Sequence, residues 1–224
     1  MDNLGDYENM DKHEETLSNL KEVEKYSINK LSQNEIKDLQ FIKVMFGTKS
    51  NAGEGFDYKI DEVNETENWH PETNDSKDIE GFNFSVKEKI LRWLVRGDTL
   101  YDVTIPSDAE VYDCESPSAP HGVFRSNRII ISNPRLVTDD IAMKFYKVSM
   151  LPEKSYFKAM TGCVVRGYIK TALKILEEKV NKDNVSIAIS EFEDFIKHKN
   201  DLEFNFNDIQ NENIKMIYNK LKEI

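Results

Sequence analysis

The chain has 224 residues, of which 39% are hydrophobic and 32% are charged, and its formal net charge is −11 at pH 7. This length suits one core with attached segments, and no apolar run approaches the roughly 18–20 residues that cross a bilayer. Residues 1–80 hold 9 basic against 20 acidic side chains, while residues 81–224 hold 21 of each, so the acidic front argues against nucleic-acid binding.

Composition also indicates compartment and origin. The two cysteines, Cys114 and Cys163, define neither a disulfide framework nor a metal cluster. The N-terminus lacks the basic-then-apolar pattern of a signal segment. We therefore expect a cytoplasmic protein that does not contact membranes. The abundance of Lys, Glu, Asn and Ile is typical of a low-GC bacterium or its phage.

Residues 1–40 are predicted to form an acidic helical arm that is partly disordered. Residues 1–15 are polar and show no periodicity. From Thr16 onward, apolar residues recur at helical spacing, namely Leu17, Leu20, Val23 and Tyr26. Ser32 and Glu35 form a capping-box pattern, which predicts a short helix over 33–40.

Residues 41–134 are predicted to form a small mixed β-sheet domain. Apolar or alternating runs favour strands over 41–46, 56–63, 99–106, near 110–113 and over 123–132. Asn133-Pro134 is expected to end the last of these. Ser85 and Glu88 form a second capping-box pattern, which predicts a helix over 86–96 that stops at Gly97.

Residues 135–224 are predicted to be a helical region. Thr138 is expected to cap its first helix, with acidic residues in the first turn. The next helix should run from Pro152 to about Val180, with a break near Gly162 or Gly167. Two more helices follow. Strands followed by a run of helices indicate the α+β class.

A Glu-Gly-Phe-x-aromatic pattern occurs twice in the sequence, as EGFDYK from Glu54 and as EGFNFS from Glu80. We interpret the pair as two strands that enter one sheet in the same way and place alternate aromatic side chains in one core. The alternative is a degenerate ligand pocket beside the same strands.

Catalytic signatures of the usual kinds are missing from the sequence. A Cys114–His121 nucleophile pair is conceivable in the loop 113–122, but a surface role for the histidine is the preferred interpretation. Two basic groups stand out in the acidic chain: Lys89, Arg92 and Arg96 on the predicted helix, and Arg125, Arg128 and Arg135 near the last strand. Solvated faces, or docking of the acidic arm, explain them best; an anion pocket is the alternative.

The order of features over 41–132 resembles the ADP-ribosyltransferase fold. FIKVMFGTKSN resembles its first motif, GFNFS its Ser-containing motif, TLYDVTIPSDAEV the strand that ends in Pro, and VFRSNRIIIS the closing strand. The paired Gly-Phe-x-aromatic pattern also resembles a small domain of bacterial and phage proteins. The resemblance implies an NAD or nucleotide site in a cleft lined by Thr48, Ser85, Trp93 and Arg125, with Arg128 nearby.

The same residues depart from that family's pattern at three places. Phe46 stands where one branch has the NAD-binding His, and Ser85 lacks the following Thr-Ser. Asn127 and Arg128 stand where the catalytic glutamate is expected, and an arginine there opposes the positive charge of the breaking bond. The related RNA 2′-phosphotransferases use Arg and His, which Arg125 and Arg128 partly match.

The leading hypothesis is a non-catalytic or catalytically degenerate domain that binds a protein partner or a small anionic ligand. An ADP-ribosyltransferase- or phosphotransferase-type enzyme is the first alternative. The second is an acidic immunity or inhibitor protein that binds a basic partner.

Overall fold

A computed structural model of the chain describes residues 28–49, 56–73, 78–117, 119–197 and 208–224. The predicted helix from Thr16 and most of the predicted arm lie outside these ranges. In the described part, eight strands form one sheet: β1 (Ile28–Lys30), β2 (Phe41–Met45), β3 (Val63–Glu65), β4 (Phe82–Val86), β5 (Thr99–Thr104), β6 (Val111–Cys114), β7 (Phe124–Ser126) and β8 (Arg128–Leu136).

The helices lie mostly after the sheet in the chain, and the α+β class is confirmed. The helices are α1 (Gln33–Asp38), a 3₁₀ helix (Ile90–Arg96), α2 (Asp139–Val148), α3 (Glu153–Arg166), α4 (Ile169–Lys179), α5 (Val185–Lys197) and α6 (Asp208–Lys222). No helix among the described residues is both long and apolar enough to cross a membrane.

The sheet has the order β1-β6-β7-β4-β2-β5-β8-β3. Every pairing between these strands is antiparallel, so the prediction of a mixed sheet is wrong. One reason is local: the loop between β6 and β7 is shorter than the dozen or more residues that a parallel crossover needs. These two strands therefore pair as neighbours that run in opposite directions.

Strand β2 divides the interior into two apolar clusters. Its alternating side chains leave on opposite sides, as a strand requires. Phe41 and Met45 join an aromatic cluster with Phe84 and Phe124, whereas Ile42 joins a second cluster that the 3₁₀ helix and α2–α6 build. The sheet therefore carries an aromatic core on one side and a helical layer on the other.

The aromatic cluster accounts for the repeated Gly-Phe-x-aromatic pattern. The rings of Phe56 and Phe82 lie 4.9 Å apart, and those of Tyr58 and Phe82 lie 5.3 Å apart. Gly81 has a φ of +77°, a conformation that glycine adopts without steric cost. Tyr58 of the first copy and Phe82 and Phe84 of the second thus belong to one buried core, whereas Phe56 contacts this core and is 39% exposed.

The first copy does not form the strand predicted over 56–63. Only isolated bridges occur at Asp57 and Ile60 before β3 begins. Asn64 explains the difference, because its side-chain amide accepts from the backbone N–H of Lys59 and donates to the carbonyl of the same residue. A left-handed φ of +61° at Asp61 completes this local loop.

The predicted last strand differs in two ways from the structure. It is divided at Asn127 into β7 and β8, and β8 continues past Pro134 to Leu136. On one side β8 pairs with β3 only over Arg128–Ile130. On the other side the pairing of β8 with β5 shifts in register between Leu100 and Asp102, opposite Asn133 and Pro134, and proline is tolerated at such an irregularity because it has no N–H to give to the ladder.

The C-terminal helices begin and end where local signals predict. Thr138 caps α2 through its hydroxyl, which accepts from the N–H of Ile141. Gly167, at a φ of +78°, ends α3, and the N–H of Tyr168 reaches back to the carbonyl of Cys163. The predicted break therefore lies at Gly167, while Gly162 stays within α3 and packs against Val95.

Asp139 at the start of α2 also caps α4, and this contact makes a testable prediction. Its carboxylate accepts from the N–H groups of Lys170 (2.7 Å) and Thr171 (3.0 Å). We expect Asp139→Ala to lower the free energy of unfolding by about 1–2 kcal/mol in urea titrations. The neighbouring Asp140→Ala removes an exposed ion pair with Lys170 and one carboxylate from the first turn of α2, and should cost only about 0.5 kcal/mol. Equal losses in the two variants would contradict the capping role.

Candidate functional site: a cleft where two strands separate

A cleft opens in the middle of the sheet, where β2 and β4 separate. These strands share only two paired positions, Phe41 with Val86 and Ile42 with Ser85. Beyond them lies a cavity of about 330 Å³. Its lining includes Ile42, Lys43, Val44, Met45, Asn83, Phe84, Ser85, Ile90, Trp93, Arg96, Gly122, Val123 and Arg125. This volume is within the range of small-molecule sites, which begins near 300 Å³.

Gly122 holds one wall of the cleft in place. Its carbonyl accepts a hydrogen bond from the Ser85 hydroxyl at 2.6 Å and one from the Trp93 indole N–H at 3.3 Å. Ser85 belongs to β4 and the helix that follows is a 3₁₀ helix that starts at Ile90, so the predicted capping box at Ser85 is wrong. The Ser85 hydroxyl therefore donates to a distant backbone carbonyl and does not accept from a backbone N–H of the next helical turn.

Lys43 is the residue that the sequence analysis missed. It is only 8% exposed, and its Nζ donates to the Asn83 carbonyl at 2.5 Å across the gap between the strands. The same Nζ lies 4.9 Å from the centroid of the Tyr58 ring. Burial lowers the pKa of this amine from 10.5 to about 7. The signal was a lysine inside the apolar run FIKVM.

The cleft is strongly basic for so acidic a chain. Lys43, Arg96 and Arg125 line it, and none of its described lining residues is acidic. Arg125 is oriented by Asn83, because its Nε donates to the side-chain oxygen of Asn83 at 2.8 Å. The cavity therefore presents positive charge to a ligand, with Trp93 and Ile42 as apolar surfaces beside it.

Arg92 lies next to Trp93 in the 3₁₀ helix that forms this wall. Its guanidinium lies 5.0 Å from the Trp93 ring centroid. Burial, with the charge of Arg96 as a second cause, lowers the pKa of Arg92 to about 10. Lys89 turns away and donates to the carbonyl of Met150. Of the three basic residues predicted on one helix face, only Arg96 therefore lines the cleft.

Three of the five predicted ligand-binding residues come together in this cleft: Ser85, Trp93 and Arg125. Thr48 does not line it, and its hydroxyl donates to the carboxylate of Asp57 at 2.8 Å. Arg128 is also elsewhere, since it pairs with Asp108 and lies 3.7 Å from Glu65. Thr48 and Arg128 therefore make their hydrogen bonds and ion pairs away from the cleft.

The loop 113–122 contains an Asp–His pair instead of the conceivable Cys–His pair. His121 Nδ1 lies 2.6 Å from the Asp113 carboxylate, and its Nε2 lies 3.5 Å from Glu115. Burial raises the pKa of Asp113, and the bond to His121 opposes this shift. Burial also raises the pKa of the Cys114 thiol to about 11, which leaves it protonated at neutral pH.

Asn127 stands where the resemblance to ADP-ribosyltransferases implies a catalytic glutamate, and its side chain accepts from the backbone N–H of Glu110 at 3.0 Å. It thus holds β6 and the turn between β7 and β8 together. Grouped His, Cys, Asp and Glu side chains that could hold a metal ion are absent from the described ranges. Comparisons of the chain with protein-family models, with curated proteins and with solved structures find no match.

Proposed function

We propose that the protein binds a small anionic ligand in the cleft between β2 and β4. The observation that carries the proposal is the composition of the lining, which includes Lys43, Arg96 and Arg125 and no acidic residue among the described ones, although the chain has a net charge of −11. A guanidinium binds phosphate or carboxylate oxygens through two parallel hydrogen bonds. Trp93 and Ile42 supply apolar contact for the rest of such a ligand.

The lining also supports binding more than group transfer. Ser85 and Trp93 already donate to the carbonyl of Gly122, so their donors hold the wall together. Thr48 lies outside the cleft, although the ADP-ribosyltransferase-type alternative requires it inside. We therefore place binding first and keep NAD and ADP-ribose as ligands to be tested.

The proposal is tested by thermal-shift titration of the purified chain with inorganic phosphate, ADP-ribose and NAD. Saturable binding raises the melting temperature with the logarithm of ligand concentration. We expect Arg96→Gln and Arg125→Gln each to weaken binding about tenfold or more, because a hydrogen bond to a charged group contributes about 1.5–3 kcal/mol.

Arg135→Gln is the matched control, since Arg135 pairs with Asp102 on the surface and lies outside the cleft. It should leave the anion affinity unchanged. If none of the three anions shifts the melting temperature, or if all three variants bind alike, the cleft is not the anion site. The search would then move to a protein partner.

A further inference from the structure

The amine of Lys43 is held at the point where the cleft begins. Ile42 and Ser85 form the last pair between β2 and β4, and Lys43 is the next residue along β2. Its Nζ reaches the carbonyl of Asn83, another lining residue, at 2.5 Å. The side chain thus fills the place of the first missing ladder contact, which fixes the position of the nitrogen beside the cavity.

The surroundings of this amine favour its neutral form. Burial in the sheet lowers its pKa to about 7. Tyr58 is a titratable side chain that contacts it from the aromatic core, and Arg96 and Arg125 line the same cleft from the 3₁₀ helix and from β7. A neutral amine is a nucleophile, and desolvation by burial is one of the ways in which lysines become reactive.

We propose that Lys43 captures the carbonyl group of a small anionic aldehyde or ketone as a reversible imine. This inference rests on the proposed function and names the ligand class of the same cleft. Arg96 and Arg125 bind the carboxylate or phosphate of the ligand, and Trp93 contacts its apolar part. Lys43 is the residue that bonds to it.

The step is a condensation that needs no oxidant or reductant. The nitrogen lone pair of Lys43 forms a bond to the carbonyl carbon, and a proton moves from nitrogen to the former carbonyl oxygen. The resulting carbinolamine loses this oxygen as water, which leaves a carbon–nitrogen double bond. Addition of water reverses the sequence and releases the ligand with its carbonyl restored.

The test uses the full chain with 4-formylbenzoate, and with benzaldehyde as the uncharged probe of the same ring. Sodium cyanoborohydride traps any imine as a stable amine, and peptide mass spectrometry locates it. At pH 7 we expect Lys43 to be labelled at least tenfold faster than the exposed Lys49 and Lys87. We expect 4-formylbenzoate to label it at least fivefold faster than benzaldehyde, and Arg96→Gln/Arg125→Gln to remove that difference.

Two outcomes separate this inference from the proposed function. If phosphate or ADP-ribose shifts the melting temperature but Lys43 is labelled no faster than Lys49 and Lys87, imine capture is overturned and anion binding stands. Equal labelling of Lys43 by both aldehydes, with no anion shifting the melting temperature, would contradict the anionic ligand class. It would contradict the proposed function as well. Lys43→Met should lose the adduct, and a cooperative thermal transition of the variant measured without ligand shows that it is folded.

Discussion

The free energy of unfolding is expected to rise by about 1–2 kcal/mol between pH 7 and pH 8.5 because of Lys43 alone. Its pKa is about 7 in the folded protein against 10.5 as its ordinary value. Between these values the unfolded state binds more protons than the folded state, so stability increases with pH by up to about 1.4 kcal/mol per unit. Below pH 7 the amine is protonated in both states, so the destabilising effect of its burial is complete and the dependence on pH levels off.

Urea titrations at pH 7.0, 7.5, 8.0 and 8.5 measure the effect, with Lys43→Met as the reference. The substitution removes the titrating amine and keeps an apolar stem of similar length. Buried groups such as Cys114 and Tyr101, whose pKa values are raised, contribute in the opposite direction at higher pH. They remain in both proteins, so the difference between the two curves isolates Lys43. Parallel curves would show that the amine is hydrated and titrates normally.

Gly97→Ala is expected to lower the free energy of unfolding by about 4 kcal/mol or more, among the largest effects of any single methyl group in this chain. A Cβ atom at Gly97 would lie 2.3–2.4 Å from the backbone N, Cα and C of Met45. Backbone atoms of a central strand cannot move aside as a flexible side chain does. The contact between the end of the 3₁₀ helix and β2 would have to open, and with it one end of the cleft.

Gly167→Ala provides the control that separates steric clash from backbone strain. Gly97 has an extended φ of −179°, which any residue adopts, so its substitution tests the clash alone. Gly167 has a φ of +78° and open space around its Cα, so its substitution tests the strain alone. We expect Gly167→Ala to cost about 1 kcal/mol. Thermal unfolding should show a loss of about 10 °C or more for Gly97→Ala and a few degrees for Gly167→Ala. The reverse order would contradict the close approach of Gly97 to Met45.

Sequence patterns predicted the elements whose ends are set by nearby residues. The capping box at Ser32, the cap at Thr138 and the left-handed stop at Gly167 each involve partners within five residues along the chain. Ser85 has the same capping-box spacing as Ser32, but its hydroxyl finds the carbonyl of Gly122, 37 residues away. Local spacing cannot show that a distant acceptor is closer than the next helical turn.

The candidate site was predictable in its basic and aromatic members and unpredictable in its shape. Arg125 stood out as a basic residue in a predicted strand, and Trp93, in a predicted helix, was named through the resemblance. The cleft itself depends on where the pairing of β2 with β4 ends, which is a property of sheet twist and of the packing on both faces. The resemblance therefore favoured Thr48, two residues past the end of the first strand run, and Lys43 within that run was passed over.

The short contact between β2 and β4 gives the sheet a seam. Four strands lie on each side of it, and only the pairs Phe41–Val86 and Ile42–Ser85 cross it. Every other junction in the sheet has three or five paired positions, so the strand ladder contributes least to cohesion along this line. Phe41 of β2 nevertheless packs across it, with its ring centroid 4.9 Å from that of Phe84 and 5.2 Å from that of Phe124. The two halves of the sheet are therefore held together at the cleft mainly by aromatic side chains and only in small part by backbone hydrogen bonds.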